Sequence, residues 1–264
     1  MFNPFKNDHF TYQSYTLKRI LTIFFIFISS QTFSQANYSK IGIGFQAGLT
    51  TAYTGLSYDN NSTAPNPDAL KSLSLNKSKT FGGSLDYNIT PFLSAGVEYN
   101  MVQLKDGPDQ HRRQFVSDFS SIEVRGIVAA GQFVDFSYNP ILYNLRTLNA
   151  SLGFAVISGK NNVQPFTVAG APFSRQHIND IGMSKFSSVL ALPASIGYNL
   201  NIYNGYDEVA FTLGIQYKMV FTFSDDIDGY NDNPALYSNK SKDAYTSLGV
   251  SVKYMFGPKA LFYR

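Results

Sequence analysis

The chain has 264 residues, 44% hydrophobic and 16% aromatic but only 15% charged, where a soluble globular domain carries about 25% charge. So little charge beside 23 Phe and 18 Tyr points toward lipid, and the aromatic content excludes disorder. A net charge of +3 gives no concentrated basic face for nucleic acid, and the lack of cysteine removes disulfides, thiolate metal sites and thiol nucleophiles.

Lys18 and Arg19 precede the apolar run Ile20 to Ile28, and the small and polar residues Ser29 to Ala36 follow. This is the order of a secretory signal peptide. The apolar run is far shorter than the ~20 residues a spanning helix needs. Residues 1–36 therefore read as the signal, with cleavage after Ser34 or Ala36, and residues 37–264 as one exported domain.

From Lys40 onward apolar residues alternate with period two, which puts one set of side chains on each face of a strand. The first segment sets Ile41, Ile43, Phe45, Ala47 and Leu49 against Gly42, Gly44, Gln46, Gly48 and Thr50. The second pairs Phe81, Leu85, Tyr87 and Ile89 with Gly82, Ser84, Asp86 and Asn88, and the third Leu93 to Met101 with Ser94, Gly96, Glu98 and Asn100. Ile122, Val124 and Val128 oppose Glu123 and Arg125 in the fourth; Leu148, Leu152, Phe154 and Val156 oppose Asn149, Ser151 and Gly153 in the fifth. The sixth runs Leu190 to Ile202 against Ser195, Gly197, Asn199 and Asn201. The seventh is the longest, Val209 to Phe223 against Thr212, Gly214, Gln216, Lys218 and Thr222, and the eighth sets Leu248 to Phe256 against Gly249, Ser251 and Lys253.

Each segment is close to the about 9 to 11 residues of a tilted transmembrane strand. The second face reads as small and polar throughout, which suits a narrow lumen better than the water-facing side of a soluble sheet. Long connections follow strands one, three, five and seven, and short turns follow two and six. That is the layout of an outer-membrane barrel with both ends in the periplasm, although Phe133 to Thr147 after strand four is longer than the layout predicts. The expected fold is all-β, an eight-stranded antiparallel up-and-down transmembrane β-barrel in the cell outer membrane.

The inward parity collects Asp86, Glu98, Glu123, Arg125, Lys218 and Lys253. Three acids and three bases suit an ion-paired plug in an interior that eight strands leave just wide enough for side chains, which argues against a general porin. A proton or ion path through the six is the sharper alternative to a structural network. Gly42 to Gly48 approximates a dinucleotide fingerprint but is one residue too long and precedes no helix, so no cofactor is expected. Asp225, Asp226, Asp228, Asn231, Asp232 and Asn233 could serve calcium, but without EF-hand spacing a solvated loop explains them better, and no metal is assigned. His111, Arg112 and Arg113, in the loop after strand three, are candidates for an anion contact at the outer rim. The exported chain keeps only His111 and His177, with no triad spacing, so no catalytic residue is assigned.

Phe81 to Tyr87, Thr90-Pro91-Phe92, Gly96-Val97-Glu98, Asp228-Gly229-Tyr230, and Asp243 to Val250 through Lys253 to Gly257 resemble the small outer-membrane β-barrel proteins of the Bacteroidota, similar to the OmpA barrel domain and OmpX. The resemblance covers about residues 38 to 257. It implies folding by the barrel assembly machinery, with Tyr254 and Phe256 as the terminal aromatic signal, and outer-membrane lipids as surroundings. The expected function is a non-enzymatic barrel displaying surface loops. The alternatives are an accessory subunit of an envelope secretion or transport complex, making contact through Phe133 to Thr147 or the tail, and a lipid-modifying enzyme at the outer rim.

Overall fold

A computed structural model describes residues 35–54, 78–106, 113–135, 139, 143–165, 182–206, 208–229 and 242–263. Eight strands follow in chain order: β1 (Gln35–Tyr53), β2 (Ser78–Asn88), β3 (Leu93–Asp106), β4 (Arg113–Ala129), β5 (Leu148–Pro165), β6 (Gly182–Tyr203), β7 (Val209–Thr222) and β8 (Ala244–Tyr263). Each pairs with its chain neighbour and the ring closes into a barrel. Tyr38–Ala260 make up one compact unit; residues 1–34, which hold most of the expected signal segment, lie outside the described residues.

The strands form because their outward positions are rich in β-branched and aromatic residues and every backbone polar group finds a partner in a closed ring. One hydrogen-bonded row runs Ile41, Tyr87, Ala95, Gly126, Leu152, Ala194, Met219, Thr246. At the closing seam the side-chain position of Gly48 faces the backbone of Leu248 and Gly249. The row therefore returns to β1 well above Ile41, and this stagger tilts the strands. Burial is inverted relative to a soluble protein. Phe154 is 71% and Ile196 62% exposed on the outside, while Glu98 is fully buried within.

The structure departs from the expected strand pattern at the end of the barrel that carries the long connections. Strands there run on past the apolar belt, β3 to Asp106 and β4 from Arg113. Arg113 thus opens a strand and is not a loop residue. Its side chain, and His111 and Arg112, lie outside the described residues.

Nor is the inner face polar throughout. Toward the outer end Val102, Leu104, Phe115, Phe119, Ile157, Val163, Phe186, Val189, Val220 and Tyr245 are buried as an apolar core inside the barrel. Phe119 meets Phe186 and Tyr245 edge-on, with centroids 6.1 and 5.5 Å away, a favoured aromatic geometry. The segment after β7 folds over this core and inserts Ile227, which is fully buried.

A bulge serves the same packing. The β5–β6 register shifts between Ile157 and Gly159, and Ser188 takes a left-handed φ of 60° while its amide donates to Ser158 Oγ at 3.2 Å. The extra residue lets Phe186 and Val189, three apart, both face inward.

At the opposite end, the β2–β3 turn spans residues 89–92 and the β6–β7 turn residues 204–208. The longer β4–β5 connection contains two 3₁₀ helices, Ala130–Gln132 and Asn144–Thr147. A side chain at Gly131 would collide with the Phe92 ring, so this connection packs under the β2–β3 turn.

Candidate functional site: the ion-paired lumen

At mid-height the lumen is occupied by charged side chains from five strands. The register sets Asp86 beside Gly96 and Gly96 beside Arg125. One inward step away, Glu98 lies directly opposite Glu123. Two like charges in a cross-strand pair repel, and the pair persists because Lys218 reaches them from β7 on the far wall. Its Nζ donates to Glu98 Oε1 and, at 2.8 Å, to Glu123 Oε2.

Arg125 donates through Nη1 to Glu98 Oε2 and lies 3.4 Å through Nη2 from Asp86 Oδ1. Lys253 on β8 completes the chain at 2.5 Å from Asp86 Oδ2. The order Lys253, Asp86, Arg125, Glu98, Lys218, Glu123 alternates in sign from end to end. Gln46 and Asn100 each donate to Glu98 Oε1 at 2.6 Å, and Gln46 also donates to Asn100 at 2.6 Å. Below them Gln216 donates to Ser195 and Ser195 meets Ser151, both at 2.6 Å.

Two glycines make the arrangement fit. A side chain at Gly96 would occupy the space of the Asp86 carboxylate, and one at Gly82 that of the Asn100 amide. Two small cavities flank the charges, about 30 Å³ beside Gln46, Asn100 and Lys218 and about 20 Å³ beside Arg125 and Lys253. Either has room for about one water molecule, and Glu123 Oε1 and Arg125 Nε are buried without a protein partner. Chemically this is a charge-balanced, cross-braced layer and not a row of like-charged groups that would attract one ion.

All six residues singled out from inward parity thus meet in one chain of contacts. Tyr254 and Phe256 stack on β8 with centroids 5.8 Å apart. Sequence reasoning missed Gln46 and Asn100 as partners of Glu98, although their shared inward parity with it was available.

It also missed Asp243. That residue is 1% exposed, and its Oδ2 accepts the amides of Ile227 and Asp228 at 2.8 and 3.4 Å. Burial pushes the Asp243 carboxyl up to about 9, with the neighbouring carboxylates of Asp228 and Asp225 adding to the shift. Among the described residues no group of three or more acidic, His or Cys side chains is arranged to hold a metal; Asn231, Asp232 and Asn233 lie outside them. At the other end, hydrogen bonds from Lys259 and Asn204 hold the Glu208 carboxyl below the usual carboxylate range.

No family model matches the chain, and no curated protein does. Similar solved structures include Neisserial surface protein A, at 14% identity over 84% of this chain and 99% of that one, with a TM-score of 0.44. Ail, the attachment invasion locus protein of Yersinia pestis, solved with the heparin analogue sucrose octasulfate, is 8% identical over 83% of this chain and 99% of its own, TM-score 0.41. Acinetobacter baumannii CarO is 12% identical over 80% and 97%, TM-score 0.42. Likeness at this level carries no functional argument, and the barrel assignment stands on the chain's own strand order.

Proposed function

We propose that this chain is a non-enzymatic integral outer-membrane β-barrel, closed to ions, that holds its outer connections at the cell surface in a structural or interaction role. The observation that carries the reading is the inverted burial, an exposed apolar belt around a lumen filled first by six paired charges and then by an apolar core. An eight-stranded interior has room for side chains and little else, and here both fillings are continuous across it. The amino-terminal targeting segment supplies the export route such a barrel needs.

Planar-bilayer recording of folded protein is the test, with gel migration of heated and unheated samples as the check on folding. The expected result is heat-modifiable migration without stable porin-sized conductance. Stable porin-sized conductance would overturn the closed lumen, and recovery of most of the folded protein in a soluble periplasmic fraction would overturn the membrane assignment.

A second reading, an accessory subunit of an envelope complex, draws support from the short-turn end. There Phe133 is 75%, Val134 49% and Tyr206 82% exposed. A detergent pull-down comparing the unmodified chain with Phe133→Ser favours this reading if one stoichiometric partner is lost from the variant.

A further inference from the structure

The outward face above the apolar belt is not uniform around the barrel. On β4 and β5 the register aligns Asp118 with Lys160, and Lys160 aligns in turn with Lys185 on β6. On the other side Asp118 pairs with Gln103, and Lys79 comes beside Gln103 because its neighbour Thr80 pairs with Val102. One row across five adjacent strands therefore presents three lysines and a single acid. All three lysines are exposed and form no ion pair among the described residues, while Asp118 accepts a hydrogen bond from Gln103 at 2.9 Å.

The position of the row relative to the belt is read along each strand. Lys79 lies two residues above Phe81, and Lys160 lies two above Ser158, which itself follows Val156. Lys79 and Lys160 thus stand where the outward residues change from apolar to polar, the level at which hydrocarbon gives way to headgroups, and Lys185 shares their row. Lys79, Lys160 and Lys185 line one shallow, open depression together with the outward apolar residues Phe81, Tyr99 and Met101. A soluble anion would use the lysines alone. A ligand that uses both the lysines and the apolar residues has an anionic head joined to acyl chains.

We infer that Lys79, Lys160 and Lys185 form a binding surface for the phosphorylated headgroup of an outer-leaflet lipid whose acyl chains lie against Phe81, Tyr99 and Met101. The inference rests on the outer-membrane reading above. Flexible lysine ammonium groups contact phosphate as point charges, so recognition is expected to depend on the phosphates and to be weakened by salt.

Bound lipid is counted by native mass spectrometry on the folded full-length barrel in detergent, offered bisphosphorylated lipid A or the same lipid after dephosphorylation. The phosphorylated form should be retained several-fold better, and excess inorganic phosphate should not displace it. Replacing all three lysines by Gln should abolish the preference, Lys160→Gln alone should reduce it, and Lys242→Gln, beside Phe223, should leave it intact. Equal retention of the two lipids, or an unchanged preference in the triple variant, overturns the inference. Displacement by inorganic phosphate overturns the lipid assignment. Heat-modifiable migration is scored on the same samples, and its loss in the unmodified protein counts against the barrel reading instead.

Discussion

Two regions of one lumen are filled in opposite ways. At mid-height the filling is Glu98, Glu123 and Asp86 against Arg125, Lys218 and Lys253, every charge in contact with an opposite one. Toward the outer end it is Leu104, Phe115, Phe119, Ile157 and Ile227, with no charge in the cluster. Both fill the lumen with side chains, so closing the barrel does not by itself require ions.

What the charged layer adds is directional. Lys218 meets carboxylates on β3 and β4 from across the lumen, and a one-residue slip of β7 would turn it outward into the belt. Apolar packing penalises the same slip less sharply, because many apolar side chains fit a roughly suitable space. The charged layer thus specifies register, and the apolar layer supplies bulk filling.

The comparison breaks most visibly at Glu98. Glu98→Ala leaves Arg125 and Lys218 short of their shared partner, and removing one member of a buried ionic group costs about 3 to 5 kcal/mol. Urea unfolding of the variant in lipid vesicles should show a loss of that order; a loss under about 1 kcal/mol would mean that lumen water solvates the layer. In the apolar region Ile157→Val should cost only about 0.5 to 1.5 kcal/mol by the same measurement. If the two variants cost the same, the regions are not distinct in kind.

The lid over the apolar region should respond to pH. Its Asp243 keeps a proton up to about 9, while an exposed Asp releases its proton near ~3.9. The attached state therefore has its full stability below about pH 4 and loses it as pH rises through about 9. Proteolysis of the connection after β7 should accelerate between about pH 7 and about pH 10. Asp243→Asn, whose amide oxygen can still accept the Ile227 amide, should flatten that profile, and an unchanged profile in the variant would refute the assignment. The smallest effect is expected at Glu208, which Lys259 contacts at 2.6 and 2.7 Å. Its lowered pKa gives stability that is present above the ordinary carboxylate range and lost as pH falls through the folded value. Lys259→Ala should barely move the unfolding midpoint at neutral pH.

The strands were legible in the sequence because outward and inward positions differ sharply within the belt. Their outer ends were not, and β3 shows why. Val97, Tyr99 and Met101 face outward; then Val102 and Leu104 face inward while Gln103 and Lys105 face out. The period of two continues, but the apolar parity changes face where water replaces lipid outside and an apolar core replaces the ion layer inside. Read as one pattern, that inversion looks like the end of a strand. Phe115 and Phe119 on β4 were missed for the same reason. The lumen charges were legible because parity alone fixes which side of the wall a residue occupies. Their pairing across the ring, and the Asp243 anchor, depend on the curvature and stagger of the closed barrel, which a linear pattern does not contain.

The length of β6 has a consequence for reach. Its 22 residues, at about 3.3 Å each and tilted by about 45°, rise roughly 50 Å, about twice the height of a ~25 Å apolar band. The wall continues upward as a turret around the buried apolar core, and the connection before β6 starts from its rim. On the outer-membrane reading proposed above, that rim stands beyond the headgroup layer, and whatever the connection before β6 displays would be met before lipid is.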